Sequence, residues 1–103
     1  MAVKELNEVA KKNDALRSCI PVVLPPNSLV MTCGIQALGP EAVEYLVTKV
    51  KTFDTFEESN DPDGNHDFGS IDYEGKKVFW KIDDYAGHDG YELILTILLA
   101  SEW

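Results

Sequence analysis

The sequence predicts an α+β fold in a single domain that comprises residues 1–103. Apolar residues recur at helical spacing in two segments of the first half, and they alternate with polar residues around a tight turn in the second half. A length of 103 residues is far below the roughly 250 at which chains usually divide into domains. Hydrophobic residues make up 45% and charged residues 26% of the chain, a composition typical of proteins that fold around a core.

The first predicted element is an N-terminal amphipathic helix over residues 3–18, where apolar side chains recur every three or four positions. Three prolines between residues 19 and 27 remove backbone donors, so an extended connection is expected there. A short apolar run at residues 28–33 predicts a buried strand that ends at Gly34.

A second amphipathic helix is predicted to begin at Gly39-Pro40, because proline is favoured in the first turn of a helix. Its acidic residues lie near its start and its lysines near its end, as the helix dipole favours. One apolar stripe, which continues past the helix, is expected to pack on the core. The stripe consists of Val43, Leu46, Val47, Val50, Phe53 and Phe56.

The middle of the chain is predicted to form an exposed loop and then an antiparallel β-hairpin. Residues 57–67 are polar and rich in turn formers, which is typical of a loop at the surface. Residues 68–73 and 77–84 have the composition of strands and flank the turn residues Glu74-Gly75.

The second strand of this hairpin has two distinct faces. Val78, Trp80 and Ile82 alternate along it and are expected to face the core. Phe79 on the opposite face indicates that this face is partly covered too and leaves room for a contact between two copies of the chain. Lys81, also on that face, is expected to pair with an acid on a neighbouring strand.

The last segment, residues 91–103, is compatible with either a strand or a helix, because an unbroken apolar run has no period that separates the two. Its ending, Leu99-Ala-Ser-Glu-Trp, tolerates a helix, and we therefore expect a helix here with a strand as the alternative.

The net charge of −9 is the most unusual property of the sequence. Residues 1–52 contain 5 acids and 6 bases, whereas residues 53–103 contain 13 acids and only 3 lysines. All of the excess negative charge therefore lies in the second half. Direct binding to nucleic acid or to an anionic membrane is not expected, because such surfaces need clustered Lys and Arg.

The two cysteines, Cys19 and Cys33, are too few for a disulfide framework, and no apolar stretch near the start resembles a signal peptide. A cytoplasmic protein with reduced thiols is the simplest interpretation. The longest apolar run, residues 94–100, is shorter than the ~20 residues that span a bilayer, so no membrane segment is expected.

The polar stretch of residues 61–72 places oxygen ligands at positions 1, 3, 5, 7 and 12 of a twelve-residue loop, as in a calcium-binding EF-hand. His66 stands where that loop needs glycine, Asp72 replaces the usual glutamate, and a strand follows instead of a helix. A solvated turn whose side chains cap their own backbone is therefore favoured over a calcium site. A metal-binding module or metal-dependent hydrolase centred on Asp61 to Asp72, with His66 and His88 as further ligands, remains an alternative.

Four ordered motifs resemble a small family of proteobacterial proteins, the domain of unknown function 3768. They are Asn60-Asp61-Pro62, His66-Asp67-Phe68-Gly69, Phe79-Trp80-Lys81-Ile82-Asp83 and Leu99-Ala100-Ser101-Glu102-Trp103. Two earlier motifs, Asn13-Asp14-x-x-Arg17 and Thr32-x-Gly34-Ile35, match the family's pattern as well. The resemblance implies an association with plasmids and other mobile elements, and so a bacterial host cell, but it implies no activity.

The chain departs from the family pattern after the third motif. The family has a longer linker rich in Asp and Pro, whereas this chain has Asp84, Ala86 and the short connection of residues 87–90. A ligand site built from the longer linker would be missing here.

Together these observations predict a small non-enzymatic inhibitor without a cofactor, a monomer or homodimer that mimics DNA. Its partner would be a basic nucleic-acid-binding protein, such as a CRISPR effector or a restriction enzyme; a basic toxin neutralised by an antitoxin-like protein is the alternative. Closely spaced carboxylates would imitate the phosphates of a duplex. The expected partner-binding residues are Asp61, Asp63, Asp67, Asp72, Glu74, Asp83, Asp84, Asp89 and Glu92.

Overall fold

The computed structural model describes residues 7–56, 61–85 and 92–103, and the structural statements below concern those residues. The helices are α1 (Glu8–Cys19), α2 (Cys33–Gln36) and α3 (Pro40–Lys51). The strands are β1 (Ser28–Met31), β2 (Phe68–Tyr73), β3 (Lys76–Asp84) and β4 (Leu93–Leu99), and a 3₁₀ turn follows at Ala100–Glu102. The fold is α+β, as the sequence predicts.

The four strands form one mixed sheet in the order β1-β4-β3-β2. β1 runs parallel to β4, while β4 with β3 and β3 with β2 are antiparallel. The sheet has an inner face, on which the helices pack, and an outer face on the other side. The inner-face residues Val78, Trp80 and Ile82 form one buried cluster with Leu16 of α1 and with Leu46 of α3.

The two predicted amphipathic helices are confirmed. α1 begins after Asn7, whose side chain accepts a hydrogen bond from the N–H of Ala10 (2.6 Å). The first residues of the predicted segment, 3–6, lie outside the described residues. α3 begins at Pro40 after Gly39, whose φ of +99° is accessible mainly to glycine. The predicted stripe of α3 faces the core, and Phe53 and Phe56 continue it.

The β-hairpin is also confirmed, with strands that differ by one residue from the prediction. Glu74 (φ 47°) and Gly75 (φ 77°) form a turn in which both central residues have positive φ, the geometry that joins twisted antiparallel strands. Trp80 and Val78 are fully buried on the inner face, and Phe79 on the outer face is half-buried, as expected.

The expectation of a helix at the end of the chain is wrong, because residues 93–99 form β4. β4 is a central strand with a neighbour on each side, and its side chains are covered on both faces of the sheet. The sequence of such a strand is a continuous apolar run, without alternation between apolar and polar residues. Only the 3₁₀ turn that follows is helical among the described residues of this segment.

The strand predicted at residues 28–33 is shorter than expected, because it ends at Met31. Thr32 caps the short helix α2 by accepting a hydrogen bond from the N–H of Ile35 (3.4 Å), and Cys33 and Gly34 belong to that helix. A helix of four residues is too short to produce a periodic pattern.

Cys19 and Cys33 are both free and exposed. In the three described ranges, no helix combines the length and the apolar character that crossing a membrane requires.

Candidate functional site

The loop between α3 and β2 is organised around a buried carboxylate. Asp61 is only 8% exposed, and its Oδ1 accepts hydrogen bonds from the backbone N–H groups of Asn65 (3.0 Å) and His66 (3.2 Å). Asp61 is one of the expected partner-binding residues, but the structure buries it, and it presents little surface to a partner. Its carboxylate faces inwards, because the loop's own backbone donors would otherwise lack an acceptor.

The same loop is tied to α1 by two asparagines. Asn7 donates from Nδ2 to the carbonyls of Asp63 (3.2 Å) and Gly64 (3.1 Å). Asn13 is buried and donates to the carbonyl of Asn65 (3.0 Å). These bonds hold the loop of Asp61 and Asp63 at a fixed place relative to the helix.

His66 is fixed by contacts within the protein. Its Nδ1 lies 2.9 Å from Oδ1 of Asp14, and its ring stacks on Phe56 with centroids 3.8 Å apart and an interplanar angle of 4°. His66 has a φ of 54°, a left-handed conformation that its neighbours must hold in place. This geometry agrees with the interpretation of His66 as a structural hydrogen-bonding residue.

Arg17 extends this network into the core. Its side chain donates to Asp14 Oδ1 (2.8 Å) and to the carbonyls of Val50 and Phe53 (both 2.8 Å) at the end of α3. The guanidinium lies 4.9 Å from the ring of Trp80, and the residue is 5% exposed. The sequence predicts no role for Arg17, because the two carbonyls that it binds are more than 30 residues away; the Asn13-Asp14-x-x-Arg17 motif is the available signal.

The described residues contain no group of three His, Cys, Asp or Glu side chains that could hold a metal ion. Asp61 accepts hydrogen bonds from the loop backbone and His66 contacts Asp14 of α1, so both side chains have partners within the protein. His88, the other histidine considered for such a site, lies outside the described residues.

Several predicted acids meet where β2 begins and β3 ends. The register pairs Phe68 with Lys81, and the N–H of Ile82 donates to the carbonyl of Asp67 (2.9 Å), so Asp67 lies beside the last residues of β3. Asp67, Asp83 and Asp84 line one cleft of about 350 Å³. We call Asp63, Asp67, Asp83 and Asp84 the acidic end of the sheet.

The carboxylates at the acidic end repel one another. The pKa of Asp67 is raised above 3.8, first by partial burial and then by the negative charges of Asp61, Asp63 and Asp83. A hydrogen bond to backbone opposes this shift without cancelling it. Asp67 therefore lies close enough to Asp61, Asp63 and Asp83 to feel their negative charges.

Two cations lie next to this group. Lys81 donates to Asp83 Oδ2 (2.7 Å), so it pairs with an acid on its own strand and not, as expected, on a neighbouring one. Lys12, which also lines the cleft, contacts Glu92 at 3.3 Å. The fold thus places Glu92 beside the acidic end, where it is partly neutralised.

The other predicted acids lie elsewhere. Asp72 and Glu74 belong to the opposite end of the hairpin, about 17 Å from Asp67 at the ~3.3 Å rise of a strand. Asp72 is exposed and lies 3.7 Å from Lys77. Asp89 lies outside the described residues. The structure thus brings together part of the predicted set and separates Asp72 and Glu74 from it.

The outer face of the sheet carries an aromatic cluster that sequence reasoning did not assemble. Phe68 and Phe79 are 5.1 Å apart, and Trp103 contacts each of them edge-on at 5.7 Å. Trp103 is 70% exposed. We call Phe68, Phe79 and Trp103 the aromatic cluster.

Glu102 fixes the turn that positions Trp103. Its carboxylate accepts hydrogen bonds from the Thr32 hydroxyl (2.6 Å) and from the N–H groups of Gly34 (3.0 Å) and Leu99 (2.9 Å). The bond from Thr32, together with those from the backbone, lowers the pKa of Glu102. The motifs at residues 32–35 and 99–103 therefore contact each other directly.

Comparison with known proteins identifies a family and no function. The model of a family described as "Protein of unknown function (DUF3768)" matches residues 31–102, which include the acidic end and most of the sheet. α1, with Asn13, Asp14 and Arg17, precedes the matched residues. No curated protein and no solved structure shows significant similarity. The chain belongs to the DUF3768 family of proteins of unknown function.

Proposed function

We propose that this protein is a non-enzymatic inhibitor that binds the basic nucleic-acid-binding surface of another protein and thereby competes with nucleic acid. The observation that supports this most directly is the crowding of carboxylates at the acidic end: Asp67, Asp83 and Asp84 line one cleft, and after burial and Asp61 the charges of Asp63 and Asp83 raise the pKa of Asp67. Mutual repulsion lowers the stability of the folded chain, and a charge that served only solubility could be dispersed at no such cost.

The charge distribution supports the same proposal. The second half of the chain has a net charge of −10 and the first half of +1. A basic channel that normally holds DNA attracts such a surface over long range and accelerates association. Binding would release the counterions that the channel and the acids hold, so it would weaken as salt rises.

The acids that would make contact are Asp63, Asp67, Asp83 and Asp84. Asp63 and Asp84 are exposed, while Asp67 and Asp83 are half-buried and lie in the same cleft. Asp61 acts indirectly, because its hydrogen bonds shape the loop that holds Asp63. Asp72 and Glu74, at the far end of the hairpin, would form a second and separate contact at most.

A CRISPR effector or a restriction enzyme from a bacterial host is the partner class to test, with labelled DNA as the competitor. The wild-type chain is expected to displace DNA, measured as a fall in fluorescence anisotropy. The variant D63N/D67N/D83N/D84N is expected to lose displacement, because it removes four charges from the acidic end.

A control variant removes four charges elsewhere. E8Q/E41Q/E44Q/D54N has the same net charge as the test variant, and its substitutions lie on α1, on α3 and just after α3. It is expected to retain displacement within about twofold. Equal loss in both variants would show that only total charge matters, and displacement by neither the wild type nor the control would refute the proposal for the effector tested.

A further inference from the structure

The outer face of the sheet combines apolar side chains with charge. The strand register aligns Val30, Thr96, Lys81 and Phe68 in one row across all four strands. Val30 is 42% exposed, and the other three are half-buried. The helices contribute side chains to the buried cluster on the inner face. On the outer face, Phe68 and Phe79 contact Trp103, which follows the 3₁₀ turn.

A cation already lies between the aromatic cluster and the acidic end. Lys81 Nζ is 5.9 Å from the ring centroid of Trp103 and 2.7 Å from Oδ2 of Asp83. This arrangement combines a cation–π contact with an ion pair. The indole and the carboxylate are therefore spaced so that one positive group can contact both.

We propose that the outer face docks an arginine-rich segment of a basic protein, with an arginine side chain displacing Lys81 from Asp83 and stacking on Trp103. The proposal rests on the proposed function and adds to it the surface and the type of side chain recognised. Arginine fits better than lysine, because its planar guanidinium stacks on aromatic rings and is weakly hydrated. A largely exposed tryptophan next to half-buried apolar side chains is typical of an interaction hot spot.

Charge argues against a second copy of the chain as the occupant. Each copy has a net charge of −9, so two outer faces in contact would bring two strongly negative chains together. Like charges opposed across an interface are strongly unfavourable. A basic partner removes this repulsion.

Hexa-arginine and hexa-lysine peptides of equal charge are suitable probes, titrated by calorimetry. The wild type is expected to bind hexa-arginine about fivefold more tightly than hexa-lysine, in the range of a partly exposed cation–π contact. W103A is expected to remove this preference while binding of hexa-lysine changes little. W103F, which keeps a ring, is expected to restore part of it.

Y45A is the matched control, because Tyr45 is an exposed aromatic residue on α3, which packs on the inner face. It is expected to keep the arginine preference. Trp103 also reports binding directly: hexa-arginine should protect it from acrylamide quenching, whereas W103F retains only the buried Trp80 and should show no protection.

The outcomes separate this inference from the proposed function. Equal binding of both peptides by the wild type, reduced only in D63N/D67N/D83N/D84N, would overturn the docking proposal and leave the electrostatic one intact. Binding of neither peptide would overturn both. A wild-type dimer in sedimentation that W103A converts to a monomer would assign the outer face to self-association instead.

Discussion

Arg17 joins parts of the chain that are far apart in sequence. It links α1 to the end of α3 through the carbonyls of Val50 and Phe53, and through Asp14 it supports His66 in the loop before β2. A buried charge is costly unless its hydrogen-bond partners are in place. Arg17 therefore stabilises the loop that leads to the acidic end, although it is far from solvent.

Replacing Arg17 by Met should cost about 3 kcal/mol of unfolding free energy, because it leaves two carbonyls and a partly buried carboxylate without their donor. Urea denaturation measures this cost. K11M is the control, since Lys11 is exposed and, among the described residues, pairs with the exposed Glu8; its effect should stay below about 0.5 kcal/mol. An effect of R17M as small as that of K11M would refute this role of Arg17.

The charge of Asp67 should oppose folding near neutral pH. Its folded pKa is raised above 3.8, so the folded chain binds this proton more tightly than the unfolded chain. By linkage, the stability falls as the pH rises from the unfolded pKa through the raised folded pKa. D67N should thus be more stable than the wild type at pH 7, by less than ~1 kcal/mol because the carboxyl is only partly buried.

Thermal unfolding as a function of pH tests this expectation. The gain in D67N should disappear once the pH is below the unfolded value of 3.8, where the wild-type carboxyl is protonated in both states. D72N, at an exposed position beside Lys77, should change the stability little at any pH. A gain in D67N that is the same at pH 3 and pH 7 would contradict the electrostatic origin.

Gly69 shows how one residue of a strand determines the packing of the sheet against α3. A Cβ at this position would overlap the indole Nε1 of Trp80 and approach Cζ of Phe53 to 2.9 Å. Both rings belong to the core or pack against it. The absence of a side chain at Gly69 therefore leaves the space that the indole of Trp80 occupies.

G69A should destabilise the protein by about 1–3 kcal/mol through overpacking, measured by urea denaturation. The sign is informative, because alanine normally favours a strand over glycine by roughly 0.5–1 kcal/mol. S70A, at the neighbouring exposed position on the outer face, should be close to neutral. Stabilisation in G69A would contradict the contact with Trp80.

The elements differ in how far the sequence determines them. α3 and the hairpin are predicted correctly because each buries one face, which leaves a period in the sequence. β4 is covered on both faces of the sheet, so its sequence has no hydrophobic period that identifies a strand. The helix-tolerant residues that follow β4 then favour the wrong prediction of a helix. The hydrogen bonds of Asp61 agree with the predicted turn whose side chains cap their own backbone, but its burial depends on tertiary packing that no pattern of residue types encodes.

At the scale of the whole molecule, the excess charge is concentrated at particular places. The sequence locates it in the second half of the chain, and the structure divides the described part of it between the acidic end and the turn of the hairpin. The outer face connects the acidic end with an exposed tryptophan through Lys81 and Asp83. Sequence alone could not predict this connection, since it depends on the register of β2, β3 and the final turn.

The central claim is that the acidic end binds a basic nucleic-acid-binding surface. The most direct measurement is the dissociation constant for a DNA-binding effector between about 50 and 300 mM salt, for the wild type and for D63N/D67N/D83N/D84N. The account predicts steep weakening with salt in the wild type and weaker binding with a shallower slope in the variant. Tight binding with the same slope in both proteins would contradict it.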